Sequence, residues 1–361
     1  MAIFSQRKQT KRAGLQASPP PSGDALAHTA PPKRSKTVWR RTRRVLLIVA
    51  LVIASLALTG FLYQTIASAQ DASSHPAPGR LIDLGGYRLH LYCTGTARPG
   101  SPTVILEAGL GGTSLDWSKV QPGVASFTRV CSYDRAGYGW SDTSSLPRTA
   151  RNMVTELHAL LARAGVTGPS VLVGHSYGGL LMQLYTYTYP QQVAGLVLVD
   201  SAHIDQTRFP ELRQNNANSM QQLSLCQALA PFGLVRLSGF ANGMTAEYSP
   251  AVQPVFKAHF YQTRYCQTEQ NELAAWDESV AQVRAAQHAL GPLPLVVLTH
   301  GNPFLGPQGE RDWQALQSDL AGLSSDSLHI MATGSGHYIQ LDRPDLVIAA
   351  IKQVLTGKEQ S

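Results

Sequence analysis

The chain has 361 residues, 43% of them hydrophobic, which suits a folded core and excludes a wholly disordered protein. Its net charge of +7 comes from one end: residues 1–44 hold eleven Lys or Arg against one acid, Asp24, while residues 45–361 hold 19 basic and 22 acidic residues. The basic average is therefore no sign of nucleic-acid binding by the folded part, and no nucleic-acid partner is expected.

Residues 1–44 are rich in Pro, Ser, Lys and Arg, lack an apolar period and read as a disordered cytoplasmic tail. Arg40-Arg41-Thr42-Arg43-Arg44 leads directly into an uncharged run, Val45–Gln70, densest up to Tyr63. About 20 apolar residues at ~1.5 Å rise span a ~30 Å hydrocarbon core. The run has no polar face, so a transmembrane anchor is expected over 45–66, with the N-terminus in the cytoplasm by the positive-inside rule and a linker over 67–79. The alternative is a cleaved signal peptide: Ala67-Ser68-Ala69 has the form of a processing site, and cleavage after Ala69 would release a secreted domain. Either reading puts the rest of the chain outside the cytoplasm. Four cysteines follow, Cys93, Cys131, Cys226 and Cys266, and an even number in an oxidising compartment suggests two disulfides, with three pairings open and four buried free thiols as the alternative. No spacing among them resembles a zinc site, and no metal is expected.

Two short strands, Leu81–Leu84 and Tyr87–Tyr92, flank a Gly85-Gly86 turn. Six apolar runs of the kind buried in parallel sheets follow: Thr103–Leu106, Arg129–Tyr133, Ser170–Val173, Leu196–Val199, Leu293–Leu298 and Leu328–Met331. Helical patterns such as Thr149–Ala164 lie between several of them. The expected architecture is α/β, an eight-stranded, mostly parallel sheet flanked by helices over 80–202 and 291–361. The Gln- and Ala-rich stretch 203–290 breaks the rhythm and reads as a mainly helical cap inserted between strands 6 and 7.

The strongest chemical signal is Gly174-His175-Ser176-Tyr177-Gly178, a G-x-S-x-G set between an apolar strand and an apolar helix. The glycines permit a sharp turn that pushes the Ser176 hydroxyl above the sheet edge, and the helix N-terminus stabilises negative charge there. A nucleophilic serine needs a base, and His337, in the loop after the last strand, is the candidate. The other histidines have plainer explanations: His175 flanks the serine, His158 lies in a helix and His300 ends a strand.

With these residues in place, the chain over about 80–356 resembles the α/β-hydrolase superfamily, in the branch of esterases, lipases, C–C hydrolases and iminopeptidases. Tyr133-Asp134-Arg135-Ala136-Gly137-Tyr138-Gly139-Trp140-Ser141 resembles the loop after the family's fourth strand, and Gly336-His337-Tyr338 through Pro344 its histidine loop. The resemblance implies an oxyanion hole from the N–H groups of Tyr177 and Leu110, the latter in a loop with Ala108-Gly109 where the family often has His-Gly. Many members place the orienting acid after strand 7, where this chain has Asn302 and no acid. Asp200, ending strand 6, is the leading candidate, with Asp205, Glu310 and Asn302 behind it. Asp134 and Arg135 read as a structural charge pair. The family's strand order puts strands 2 and 4 side by side and so implies Cys93–Cys131, with Cys226–Cys266 in the cap.

The implied activity is serine hydrolysis of a small ester, thioester or amide without a cofactor, a carboxylic ester being the leading expectation. A dehalogenase or epoxide hydrolase would need a carboxylate in place of Ser176. Two further possibilities stay open: an iminopeptidase-like peptidase gripping a substrate amine through Glu269, Glu272, Asp277 or Glu278, and a non-catalytic surface binding protein. The cap aromatics Phe256, Phe260, Tyr261, Tyr265 and Trp276 suit a pocket lining or plain helix packing. The sequence leaves the natural substrate and the oligomeric state open.

Overall fold

The computed structural model describes residues 36–97 and 100–357. Eight strands form one sheet: β1 (Arg80–Asp83), β2 (Arg88–Thr94), β3 (Thr103–Glu107), β4 (Val130–Tyr133), β5 (Ser170–His175), β6 (Val193–Val199), β7 (Leu295–His300) and β8 (Ser327–Ala332). Their order is β1-β2-β4-β3-β5-β6-β7-β8. β2 pairs antiparallel with β1 and β4, and every other neighbouring pair is parallel. Asp83 shapes the first hairpin by accepting the N–H groups of Gly85 and Gly86 at 2.8 and 3.3 Å.

Thirteen α-helices lie among the described residues: α1 (Lys36–Ser74), α2 (Gln121–Ala125), α3 (Ala150–Arg163), α4 (Tyr177–Thr188), α5 (Pro210–Leu229), α6 (Leu234–Ser238), α7 (Ala241–Met244), α8 (Gln253–Phe260), α9 (Thr263–Ala274), α10 (Trp276–Ala286), α11 (Pro307–Ala321), α12 (Ile339–Asp342) and α13 (Pro344–Thr356). Helices α5 to α10 lie between β6 and β7, so the insertion is helical.

The inner strands β3 to β7 are buried on both faces, whereas edge strand β8 is mostly half-buried, and successive residues of the inner strands feed two separate cores. Val104, Leu106, Val171, Val173, Val197, Val199, Val296 and Leu298 pack with Val124 of α2 and with Val347, Ile351 and Val354 of α13. The intervening Ile105, Leu172, Leu196, Leu198, Leu295 and Val297 pack with α3, α4, α10 and Leu320 of α11. Both faces being covered, the strands read in the sequence as unbroken apolar runs. Cys93 and Cys131 stand directly opposite in the β2–β4 register and are disulfide-bonded, as are Cys226 of α5 and Cys266 of α9.

The N-terminal region differs from expectation. The chain divides into two units, residues 1–53 and 54–361. Residues 1–35 of the expected tail lie outside the described residues, but Lys36–Arg44 is helical, so α1 begins nine residues before Val45. It also runs on through the expected linker to Ser74. Arg and Lys are good helix formers, and extending a formed helix costs far less than nucleating one, so the apolar segment carries its flanks with it. The helix is long and apolar enough to cross a membrane, with a mean hydropathy of 2.8 in its most apolar window. Within the second unit its C-terminal turns touch the helical insertion. Buried Gln64 donates to the Tyr261 carbonyl at 2.6 Å, Asp71 pairs with Arg236 at 2.7 Å, and Gly60 lies so close that a Cβ there would fall 2.4 Å from the Phe232 oxygen.

Candidate active site

Ser176 and Asp200 sit just past the C-terminal ends of the adjacent strands β5 and β6. They are the two non-glycine residues with positive φ among the described residues, at 50° and 42°. Such backbone costs about 1–3 kcal/mol and persists only where the surroundings over-determine it. Here they do: Ser176 N–H donates to Val199 O, Ala202 N–H to Ser176 O, and Asp200 N–H to Leu298 O at 3.1, 2.9 and 2.7 Å. The elbow also needs its glycines. A Cβ at Gly174 would lie 2.6 Å from Gly178 O, and one at Gly178 would lie 2.5 Å from Ala108 O.

The loop after β8 brings His337 to this strand edge. Its Nδ1 lies 2.6 Å from Asp200 Oδ2. The imidazole is about one quarter exposed, whereas Asp200 is fully buried. No hydrogen bond joins the half-buried Ser176 hydroxyl to His337 among the described residues. His175 points away from solvent and binds the His337 carbonyl through Nε2 at 2.9 Å. Burial, reinforced by the His337 charge, lowers its pKa to about 3 and keeps it neutral.

Asp200 has more partners than His337. Oδ1 accepts the backbone N–H of His300 at 3.1 Å and the indole N–H of Trp313 at 2.9 Å, and both oxygens lie within 3.0 Å of His300 Nδ1. Burial alone would raise the Asp200 pKa, but the hydrogen bonds from His300 and His337 outweigh it and hold the carboxyl well below its usual range. Glu310 meets the other side of His300, Oε2 to Nε2 at 2.9 Å, and its second oxygen accepts the N–H groups of Phe304 and Leu305. Burial disfavours the His300 cation, yet the bonds and charges of Asp200 and Glu310 prevail and raise its pKa. A ring bonded to a carboxylate at each nitrogen donates at both, which only the imidazolium can do. Strand-end His300 is thus part of this cluster and not a bystander, as are Glu310 and Trp313, although Glu310 reaches His300 and not His337. Asp205 pairs elsewhere, with Arg208 and Arg284, and Asn302 gives its backbone N–H to Ser335 O. His158 stacks on Tyr189 at 4.0 Å between ring centroids.

Tyr177 opens α4, so its N–H is among those a helix leaves without an internal partner. Leu110 lies in the loop after β3, beside the elbow: a Cβ on Gly109 would sit 3.2 Å from the Ser176 Cβ. Buried Arg135 holds this loop. It donates to Glu107 Oε1 at 2.6 Å, to the carbonyls of Ala108 and Gly109 at 2.7 Å each, and to both oxygens of Glu272 on α9. The expected Asp134–Arg135 charge pair is not what forms. Asp134 instead pairs with His90 at 2.8 Å and accepts the N–H groups of Ser114 and Trp140, because consecutive side chains leaving a strand diverge.

A cavity of about 190 Å³ adjoins the loop, bounded by Leu110, Gly111, Asp116, Tyr248, Glu269 and Tyr338, with Phe256 and Tyr265 also in its wall. Phe260 and Tyr261 instead pack inside the insertion, and Trp276 lies against Tyr177 at 5.5 Å. Of the four acids considered as amine ligands, Glu269 lines this cavity, Glu272 is consumed by Arg135, and Asp277 and Glu278 are exposed. Burial, then the neighbouring Glu272 charge, pushes the Glu269 carboxyl up to about 7, and burial pushes Asp116 up to about 6.

YqjL of Bacillus subtilis, an uncharacterised protein, is 29% identical over 252 residues, covering 70% of this chain and 83% of its own. An AB hydrolase superfamily protein of Gibberella zeae is 25% identical over 293 residues, covering 71% and 87%. The enol-lactonase of Burkholderia xenovorans superposes with a TM-score of 0.57 at 17% identity, covering 77% of this chain and all of that one, a likeness of fold. The profile described as the Alpha/beta hydrolase family matches residues 104–350, the stretch from β3 to α13 that carries the elbow, the β6 end and the histidine loop, and the chain belongs to that family.

Proposed function

We propose that the chain is a membrane-anchored serine hydrolase acting on a carboxylic ester, with thioesters and amides as related substrates. Ser176 attacks the carbonyl carbon, and His337 Nε2 takes its proton and returns it to the leaving group. Asp200 fixes the ring through Nδ1 and stabilises the imidazolium, while the N–H groups of Tyr177 and Leu110 receive the oxyanion. Water, activated by the same histidine, then releases the acid. The observation that carries this reading is the 2.6 Å contact of a fully buried, ionised Asp200 with His337 at the strand edge that also bears the strained Ser176.

The anchor reading draws support from Gln64 and Asp71. Both belong to α1 and are bonded to the folded insertion, so cleavage after Ala69 would remove the buried Gln64 contact. Two disulfides accord with a domain outside the cytoplasm. A peptidase that grips a substrate amine is the second reading, favoured by Glu269, which lines the cavity and makes no hydrogen bond among the described residues.

The test is labelling of the full chain by a fluorophosphonate. Labelling should vanish in Ser176→Ala and fall at least a hundredfold in rate in His337→Ala. Folded wild-type protein that never labels would point to a non-catalytic binding protein.

A further inference from the structure

The apolar surface of the second unit is not spread evenly. Outside α1, eleven large apolar side chains are exposed among the described residues, and five of them, Phe232, Leu234, Leu237, Phe240 and Met244, fall within thirteen consecutive residues. Leu237 is 66% and Phe240 60% exposed. The segment has one charge, Arg236, and it is used inward, paired with Asp71 and stacked over the Tyr261 ring at 5.1 Å. What remains outward is uncharged: the five apolar side chains with Ser238 and Asn242 between them. Single exposed apolar residues need no explanation, but a cluster of this kind marks a contact surface.

Its position identifies the contact. Phe232 and Gly233 meet α1 at Gly60 and Tyr63, which is where the apolar run of α1 ends. On α1 itself Leu56, Leu58, Phe61, Leu62 and Ile66 are all more than half exposed. The insertion's apolar face is therefore continuous with the outer end of the helix read as an anchor. The face also leads inward. Met244 both belongs to it and lines the cavity, while Phe240 stacks on Phe260 and Phe260 on Phe256, which lines the same cavity, at 6.0 and 6.1 Å between centroids. Leu110 and Tyr338, neighbours of the groups assigned to catalysis, line the same cavity.

We propose that residues 232–244 lie in the outer leaflet of the bilayer and that the site draws its substrate from there, an amphiphilic ester whose acyl chain resides in lipid. This rests on the anchored serine hydrolase reading. All four native cysteines are paired, so Leu237→Cys carries a fluorophore uniquely. In the full chain in phosphatidylcholine nanodiscs, lipids bearing spin labels in their acyl chains should quench the fluorophore at 237. They should spare one at the exposed Lys352 on α13. Equal quenching at both positions, or none at 237, overturns the placement. A fluorophore at 237 shielded only as protein concentration rises would assign the face to a second copy of the chain instead. For the substrate, Leu237→Glu should lower turnover of a nanodisc-embedded monoacylglycerol at least fivefold relative to dissolved p-nitrophenyl acetate. Equal loss on both overturns the lipid-delivery claim. Quenching needs no turnover, so failure of the hydrolase reading would be seen separately, as absent fluorophosphonate labelling.

Discussion

The sheet core and the helical insertion are held by different kinds of contact. The core's two clusters are built mainly of Val, Leu and Ile on strands and facing helices, a non-directional packing in which many similar residues share the load. The insertion has little of this. In the 20-residue α5 only Leu212 and Leu223 are buried, and the main cluster of the insertion is mostly aromatic. Its phenols are directional ties to the site loops, Tyr248 donating to Asp116 at 2.7 Å and Tyr265 to Gly111 O at 2.8 Å, and the phenol of Tyr138 in the loop after β4 donates to Glu272 of the insertion at 3.1 Å. A core of interchangeable aliphatics tolerates substitution, whereas an insertion docked by a few polar bonds depends on each of them. The first two of these bonds end on the segment after β3, so the insertion's seating bears on the proposed reaction centre.

The sharpest way to break the core side of this comparison is Asp200→Asn. The amide turns an N–H toward donors that the carboxylate accepts from, four in all, so His337, His300 or Trp313 loses its acceptor. The proposed mechanism then loses the ring orientation, and kcat should fall by about three to four orders of magnitude. Circular dichroism and the thermal midpoint report whether the sheet survives; a variant that keeps more than a tenth of wild-type kcat would remove Asp200 from the mechanism. Arg135→Met tests the joint between the two regions. It leaves Glu107 and Glu272 buried without their cation, a change that typically costs about 3–5 kcal/mol. Urea unfolding should show that loss, and limited proteolysis should cut first within 203–290. An unchanged urea midpoint would mean that the guanidinium is not what docks α9.

What the sequence showed follows the same division. Local patterns disclosed the eight strands, the elbow at Ser176 and the loop bearing His337, because strand periodicity and glycine placement are short-range signals. Asp200 stood out only as an acid at a strand end. Its environment is long-range: His300 and Trp313 are 100 and 113 residues away in sequence. In the sequence His300 reads only as a strand terminus, yet there is a clue, since the β7 loop has Asn302 in place of an acid and Glu310 a few residues on. Glu272 was read as a possible amine ligand, whereas Arg135, 137 residues away, occupies it. No pattern within α9 could have revealed that partner. By charge Lys36–Arg44 reads as the end of a solvated tail, yet it is helical, because helix propagation extends through such residues.

Two smaller effects sharpen the comparison within the insertion. The Cys226–Cys266 bridge closes a loop with a sequence separation of 40 between α5 and α9. Loop entropy sets its contribution at no more than about 4 kcal/mol. In the Cys226→Ser, Cys266→Ser double variant hydrogen exchange should accelerate in α5 and α9 and stay slow in β5 and β6. Acceleration spread evenly over the sheet would show that the insertion and core unfold as one unit, contrary to that distinction.

The smallest effect is expected at Glu269, and its sign is opposite. The folded carboxyl has its pKa raised to about 7 by burial and by Glu272, against about 4.3 in an unfolded chain. The folded state therefore binds the proton more tightly, and this residue's contribution to stability falls as pH rises from about 4.3 through 7. Glu269→Gln removes that dependence, so the variant should match wild type near pH 4 and exceed it at pH 8, read as a higher thermal midpoint. The same variant weighs the two substrate readings. If the cavity grips an ammonium group, kcat/KM for an alanine p-nitroanilide should drop at least tenfold relative to p-nitrophenyl acetate, since the lost carboxylate was the cation's partner. If the cavity receives an acyl chain, the ratio should hold or move the other way, because an uncharged amide is a better neighbour for hydrocarbon than a carboxylate that ionises near neutral pH.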